Sequence, residues 1–139
     1  MKQLTTAAAL CAIAVAASHA SAAPTLRFPG FKTPSGNIVC VYDGRALRCD
    51  IRSGLIPKAS RPPGCPPDID FGQGVDISAR RAGVVCAGDT ALGTRVPKLA
   101  YGHVWRRGSI RCRSRVTGLA CRNKVGHGFF LSGGRWHVY

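Results

Sequence analysis

Residues 108–123 read GSIRCRSRVTGLACRN, and residues 36–49 read GNIVCVYDGRALRC. Both stretches have the form Gly-x-Ile-x-Cys, then eight residues, then a second cysteine with a leucine two positions before it. Around these cysteines apolar residues recur at alternate positions, which is the pattern of a half-buried β-strand. We therefore predict two β-hairpins of the same design, each closed by its own disulfide, Cys40–Cys49 and Cys112–Cys121.

Pairing the cysteines across each hairpin decides which side chains share a face, because a strand alternates its side chains with a period of two. In the first hairpin Gly44-Arg45 becomes the two-residue connection, and glycine at the first central position suits a type II′ turn. The predicted inward residues of the two hairpins are Ile38, Cys40, Tyr42, Leu47, Cys49, Ile51, Ile110, Cys112, Leu119 and Cys121. The predicted outward residues are Arg48, Arg52, Arg111, Arg113, Arg115 and Arg122.

The rest of the chain also favours strands and turns. Five prolines between residues 53 and 74 exclude regular structure there. Val75–Ala87 is predicted to form another hairpin that turns at residues 80–83, and Gly133-Gly134 predicts a last turn that pairs Leu131 with Trp136 and Phe129 with Val138. No amphipathic helix of ordinary length is predicted. The expected fold is all-β: a small, disulfide-stapled sandwich or a partly open barrel of β-hairpins.

The start of the chain predicts export. Residues 1–22 combine Lys2, an apolar run and small residues before Ala23, which is typical of a signal peptide. That run is too short to span a bilayer, so we expect no transmembrane segment and a single secreted domain, residues 23–139, in the periplasm or outside the cell. An even number of cysteines in an exported domain indicates disulfides rather than metal binding, and the two hairpin pairs leave Cys65 to bond Cys86.

The charge of the chain is strongly positive. Without Lys2, 19 basic residues stand against six acidic ones, which gives a net charge of +13, and arginine outnumbers lysine fifteen to five in the full chain. Such a field attracts an anionic polymer, a lipid head group or an acidic protein. Physiological nucleic acid is not expected for an exported protein, although phosphate contacts could produce binding in vitro. A compositional drift toward arginine, with no specific partner, is the competing interpretation.

The outward row Arg111, Arg113 and Arg115, widened by Arg122 on the next strand, is the predicted anion-binding patch. Alternate residues of a strand lie about 7 Å apart on one face. Guanidinium groups suit bidentate contacts with phosphate or carboxylate. The alternative interpretation is a solvated charged face that only prevents aggregation.

A second candidate is a ligand pocket near Asn123 and His127, where Gly126 and Gly128 would let a backbone approach closely. Asp89, Tyr101 and Trp105 are the further residues assigned to this pocket; the competing interpretation is an ordinary glycine-rich turn with core aromatics. Asp89, His127 and Ser132 could be combined on paper into a catalytic triad. No nucleophile-elbow pattern surrounds a serine, so hydrolase chemistry is disfavoured. Histidine spacing indicates no metal site, and no cofactor is expected.

Several motifs together resemble a family of secreted bacterial domains of unknown function. The resemblance covers nearly the whole predicted mature chain, and it implies export, disulfides and a single domain but no particular activity. The motifs are FxTPSGNIxC from Phe31, LRCDI from Leu47, CAxDT from Cys86, LxYGxxWxxG from Leu99, and CxNxxGHGFxLS from Cys121.

These observations favour an exported, monomeric, non-enzymatic domain whose basic face binds an anionic envelope or extracellular partner. Two alternatives stay open: a small enzyme or specific-ligand pocket near Asn123 and His127, and a protein-directed inhibitor or toxin-like factor.

Overall fold

The computed structural model describes residues 21–139, which form eleven β-strands in two sheets and no helix. Residues 1–20 of the predicted signal peptide lie outside the described residues. The inner faces of both sheets contribute to one core, and neither sheet closes on itself. The predicted all-β, disulfide-stapled fold is therefore confirmed in its sandwich form.

The first sheet is an antiparallel meander, in which each strand pairs with the next one along the chain. We call it the first meander. Its strands, in spatial order, are β2 (Gly30–Lys32), β3 (Ile38–Tyr42), β4 (Ala46–Ile51), β5 (Phe71–Ser78) and β6 (Ala82–Cys86).

The second sheet contains an equivalent second meander and one additional strand at its edge. The additional strand, β1 (Thr25–Leu26), pairs in parallel with the first strand of this meander. The strands of the second meander are β7 (Val104–Arg107), β8 (Ile110–Arg115), β9 (Gly118–Arg122), β10 (Gly128–Leu131) and β11 (Trp136–Val138).

The internal repeat extends beyond the two hairpins. A shift of 72 positions takes Cys40 to Cys112 and Cys49 to Cys121. The same relation holds at the sheet edges, where the segment preceding each meander pairs with the other meander. The Val104 amide donates to the Pro24 carbonyl at 3.0 Å, and the Lys32 amide donates to the Pro97 carbonyl at 2.9 Å. The two meanders are therefore joined by a reciprocal exchange of edge segments.

The two cysteine hairpins have the predicted register. Cys40 lies opposite Cys49 with Tyr42 opposite Leu47, and Cys112 lies opposite Cys121. Gly44 has a φ of 100°, which an L side chain rarely adopts, so the turn there requires glycine. The ten residues predicted to face inward are all buried in or packed against the core.

The three disulfides have the predicted pairing: Cys40–Cys49, Cys65–Cys86 and Cys112–Cys121. The two hairpin disulfides lie within the core, and Cys65–Cys86 ties the proline-rich segment to the end of β6. Disulfides persist in oxidising compartments, so their presence indicates an extracytoplasmic environment.

Two details of the predicted Val75–Ala87 hairpin are wrong. Strand β5 begins at Phe71 rather than at Val75, because a shift of register between these residues lets four more residues join the ladder. The turn lies one to two residues earlier than predicted, since the Ser78 amide donates to the Arg81 carbonyl and Ala82 already belongs to β6. The last hairpin has the predicted register, with Leu131 opposite Trp136 and Phe129 opposite Val138.

Candidate anion-binding site

Three arginines lie side by side across the outer face of the second meander. Arg106 on β7 is directly opposite Arg111 on β8, and Arg111 is directly opposite Arg122 on β9. Directly paired residues point to the same face, and adjacent strands are about 4.8 Å apart. Arg113 and Arg115 continue the row along β8. The structure therefore brings together all four residues of the predicted patch and adds Arg106.

Among the described residues, these arginines form no ion pair with an acidic side chain. Ten basic residues follow Asp89 in the sequence, and no acidic residue does. The ion pairs among residues 21–139 involve only Arg48 and Arg81, both in the first meander. The Nε–H groups of Arg111 and Arg113 are buried without a hydrogen-bond acceptor. Burial, reinforced by the positive charges of its arginine neighbours, lowers the pKa of Arg111.

The equivalent position of the first meander carries a buried apolar residue and a buried acidic residue instead of two arginines. The 72-residue shift relates the Arg111–Arg122 pair to Val39 and Asp50, which also lie directly opposite one another. Both Val39 and Asp50 are buried. The segment after β6 covers this face, because Thr90 Oγ1 and the Ala91 amide donate to the Asp50 carboxylate at 3.1 and 2.8 Å.

The pair of arginines borders a concavity of about 620 Å³ at one end of the second meander. We call it the cationic groove. The turn that joins β7 to β8 and the turn that joins β9 to β10 form its ends. Its polar lining consists of Arg106, Ser109, Arg111, Arg122, Asn123 and Lys124. Four of these six side chains are cationic, so the groove can accept an anion of more than one charge.

Aromatic rings follow the arginines on the same outer face. Tyr139 lies opposite Gly128, which lies opposite Arg122. The His137 ring centroid is 5.6 Å from that of Tyr139 and 5.7 Å from that of Phe130. A Cβ atom at Gly128 would lie 2.6 Å from the Tyr139 ring, so glycine at this position gives the ring room to lie across the strand.

Asn123 has a structural role in the turn between β9 and β10. Its Oδ1 accepts hydrogen bonds from the amides of Val125 and His127, and its Nδ2 donates to the Ser78 carbonyl at 3.0 Å. The buried side chain thereby fixes the turn and ties it to the β5–β6 connection of the first meander. His127 itself is exposed on that turn.

The structure does not bring the five residues of the alternative pocket together. Trp105 is fully buried in the core, and its Nε1 donates to the Phe28 carbonyl at 2.7 Å. Asp89 lies on the outer side of the first meander, where it forms an ion pair with Arg48. Tyr101 is half exposed beside the turn between β8 and β9. The proposed triad lacks its geometry too, because Ser132 Oγ donates to the Arg135 carbonyl at the turn of the last hairpin.

A further concavity of about 420 Å³ lies against the outer face of the first meander, where Asp76 and Arg81 are neighbours. Burial raises the pKa of Asp76, and the nearby charges of Arg81 and Arg48 only partly oppose this shift. A raised pKa in the folded state means that ionised Asp76 destabilises the fold. This destabilisation begins as the pH rises above 3.8, the ordinary pKa of an aspartate, and is complete above the raised pKa of Asp76 in the folded state.

We therefore expect Asp76→Asn to stabilise the protein near pH 7, by less than about 1 kcal/mol because the site is partly solvated. The gain should disappear below pH 3.8, where the aspartate is protonated in both the folded and unfolded states. Urea unfolding at both pH values measures the difference. A gain of the same size in acid would contradict this origin.

Three residues were not predicted from the sequence: Lys124 and Tyr139 as neighbours of the patch, and Asp50 as the organiser of the other sheet. Lys124 and Tyr139 reach the arginines through turns whose shape the alternating pattern does not specify. Asp50 carried a usable signal: it occupies the position equivalent to Arg122 in the repeat, and a carboxylate there requires a partner if it is buried.

Within residues 21–139, no group of three or more histidine, cysteine or acidic side chains could hold a metal ion. The same part of the chain contains no helix long and apolar enough to cross a membrane.

Comparison with known proteins identifies a family and no activity. No curated protein and no solved structure matches the chain significantly. A family model does match, over residues 9–139, and this range includes both meanders and all three disulfides. The chain belongs to a family of unknown function, DUF6636.

Proposed function

We propose that the protein is an exported, non-enzymatic domain that binds an anionic envelope or extracellular partner through the outer face of its second meander. The observation that carries the proposal is the in-register row Arg106–Arg111–Arg122, which forms no ion pair with an acidic residue in the described part of the chain. A bound anion would supply counter-charges to these arginines and accept hydrogen bonds from their guanidinium groups.

The contrast between the two meanders supports a role beyond solubility. On the first meander, outward Arg48 is held by the carboxylates of Asp50 and Asp89 at 2.8 and 2.7 Å. On the second meander, arginines on three adjacent strands face one another, although like charges directly opposite destabilise a sheet. A solubility device has no need of this arrangement, because the same charges spread over the surface would repel less.

The test is the retention of the protein on immobilised heparin, a linear polyanion, at low salt. Arg111→Gln/Arg122→Gln should weaken binding about 10-fold or more, because hydrogen bonds to charged groups contribute about 1.5–3 kcal/mol each. The matched control is Arg45→Gln/Arg80→Gln, which removes the same charge from exposed positions of the first meander.

The control should bind almost as tightly as the unmodified protein, and the binding of both should weaken as salt screens the charges. Equal losses in the two double variants would mean that net charge alone governs retention, and the assigned surface would then be wrong. Unfolding measurements on both variants exclude a loss of structure as the cause.

A further inference from the structure

The cationic groove continues into a second concavity along the sheet. This concavity, of about 280 Å³, shares Arg111 and Arg122 with the groove and is further lined by Arg113, Arg115, Ala120 and Tyr139. We call the two together the trough. It runs the length of β8, a strand of six residues. At 3.3–3.4 Å per residue, the Cα atoms of its first and last residues are about 17 Å apart. An open trough of this length suits an extended chain better than a compact anion.

Charges recur along the trough at a regular spacing. Arg111, Arg113 and Arg115 occupy successive outward positions of β8, about 7 Å apart. Arg122 adds a second charge beside Arg111 across the strand pair. A ligand that satisfies all four must therefore carry several anionic groups in sequence, which is the property of a linear polyanion.

One side of the trough carries an exposed aromatic ring. Tyr139 is 51% exposed and borders the same concavity as Arg111 and Arg122. Outside the trough, on the same outer face, the exposed His137 ring lies beside Tyr139, and the guanidinium of Arg135 lies over the Phe130 ring at 5.0 Å. Tyr139 is therefore the aromatic ring among the residues that line the trough, and it stands beside a group of guanidiniums.

An exposed ring beside guanidinium groups suits a sugar acid. The C–H face of a pyranose is apolar and can pack on an aromatic face, while its carboxylate can accept paired hydrogen bonds from arginine. Single-stranded nucleic acid would instead favour a series of open rings on which successive bases stack, whereas the lining residues of the trough include one aromatic ring, Tyr139. The disulfides also indicate an oxidising, extracytoplasmic compartment, where we do not expect nucleic acid to be the natural partner.

We propose that the trough binds a linear acidic polysaccharide, with its carboxylates on Arg111, Arg113 and Arg122 and a sugar ring on Tyr139. This inference rests on the proposed anion-binding function and adds to it the chemical class of the partner. In this arrangement the arginines attract any polyanion, and Tyr139 selects polyanions that contain sugar rings.

The experiment compares four soluble polymers in direct binding measurements: polygalacturonate as the acidic glycan, polyglutamate as a carboxylate chain without sugar rings, oligothymidylate as single-stranded nucleic acid, and dextran as a neutral glycan. Polygalacturonate should bind most tightly and dextran should not bind. Tyr139→Ala should weaken polygalacturonate binding about 3- to 10-fold, as expected for the loss of one aromatic contact, while Tyr139→Phe retains most of it. Polyglutamate binding should be the same in both variants.

Phe28→Ala serves as the control variant, because the Phe28 side chain is similarly exposed and the hydrogen bond to the core residue Trp105 is accepted by its backbone carbonyl. If polyglutamate binds as tightly as polygalacturonate and Tyr139→Ala changes neither, the assignment to a glycan is overturned while anion binding stands. Tighter, Tyr139-dependent binding of oligothymidylate also overturns it. If no polyanion responds to Arg111→Gln/Arg122→Gln, the proposed function fails together with the inference.

Discussion

Replacing Asp50 with alanine should lower the free energy of unfolding by about 3–5 kcal/mol, the range found when one member of a buried ion pair is removed. The carboxylate is fully buried and accepts four hydrogen bonds. Two come from Arg48, through Nε at 2.9 Å and Nη2 at 2.8 Å, and the others come from Thr90 Oγ1 and the Ala91 amide. Alanine at this position leaves all four donors without that acceptor.

The surroundings of Asp50 cannot adapt easily to its loss. A Cβ atom at Gly74, on the neighbouring strand, would collide with the Asp50 carboxylate and with the backbone of Cys49, so the sheet is built closely around this group. The segment after β6 is also held there, because its Thr90 and Ala91 contacts end on the same carboxylate. We therefore expect Asp50→Ala to release that segment as well as to lower stability.

Urea unfolding under non-reducing conditions measures the effect, and hydrogen exchange of residues 87–99 reports the release of the segment. Asp89→Ala is the matched control, since Asp89 bonds the same arginine but its side chain is 83% exposed. The control should change stability little, because a solvated ion pair contributes little. If both substitutions cost the same, the carboxylate of Asp50 is not the organising group.

Sequence reasoning predicted those parts of the fold that depend on local alternation. The spacing of Cys112 and Cys121 specifies a register, and that register then decides the inward and outward faces of the hairpin without further information. The first hairpin follows in the same way, because its glycine turn agrees with the position of its cysteines.

The parts that were not predicted depend on long-range contacts. The exchange of edge segments is marked in the sequence only by Pro24-Thr25-Leu26 and Pro97-Lys98-Leu99, a pattern too short to indicate pairing. In the candidate site, too, some features depend on local alternation and others on long-range contacts. The outward direction of Arg111 and Arg122 followed from alternation, whereas the contribution of Arg106 required the register between β7 and β8.

Trp105 shows how a residue type can suggest two different roles. An aromatic residue near a basic patch is compatible with stacking on a ligand, and the same residue is compatible with a core position. The structure places Trp105 between the sheets, with ring centroids 5.4 Å from Phe31 and 5.8 Å from Tyr42. Because both neighbours belong to the first meander, Trp105 joins the two sheets of the sandwich.

Trp105→Ala should therefore lower the free energy of unfolding by about 3–5 kcal/mol, the cost of removing a large aromatic side chain from a closed core. Trp136→Ala is a close control. The Nε1 atoms of both tryptophans donate to a backbone carbonyl at 2.7 Å, from Trp105 to Phe28 and from Trp136 to Pro57. The two positions differ in burial, because Trp105 is fully buried and Trp136 only partly buried.

Since both variants lose a hydrogen bond of the same length to a backbone carbonyl, the difference between their unfolding free energies measures mainly the greater burial and packing of Trp105. We expect Trp136→Ala to cost clearly less and to loosen chiefly the proline-rich segment around Pro57, and far-UV circular dichroism in urea can follow both variants. Equal costs would show that the inter-sheet packing of Trp105 contributes no more than the partial packing of Trp136. If the Trp105→Ala protein were as stable as the unmodified one but no longer bound polyanions, Trp105 would have to contact the ligand directly. Trp105 lies on the inner face of β7, so any weakening of binding should instead follow the loss of stability, because the arginines of β7 and β8 keep their positions only while the two sheets stay packed.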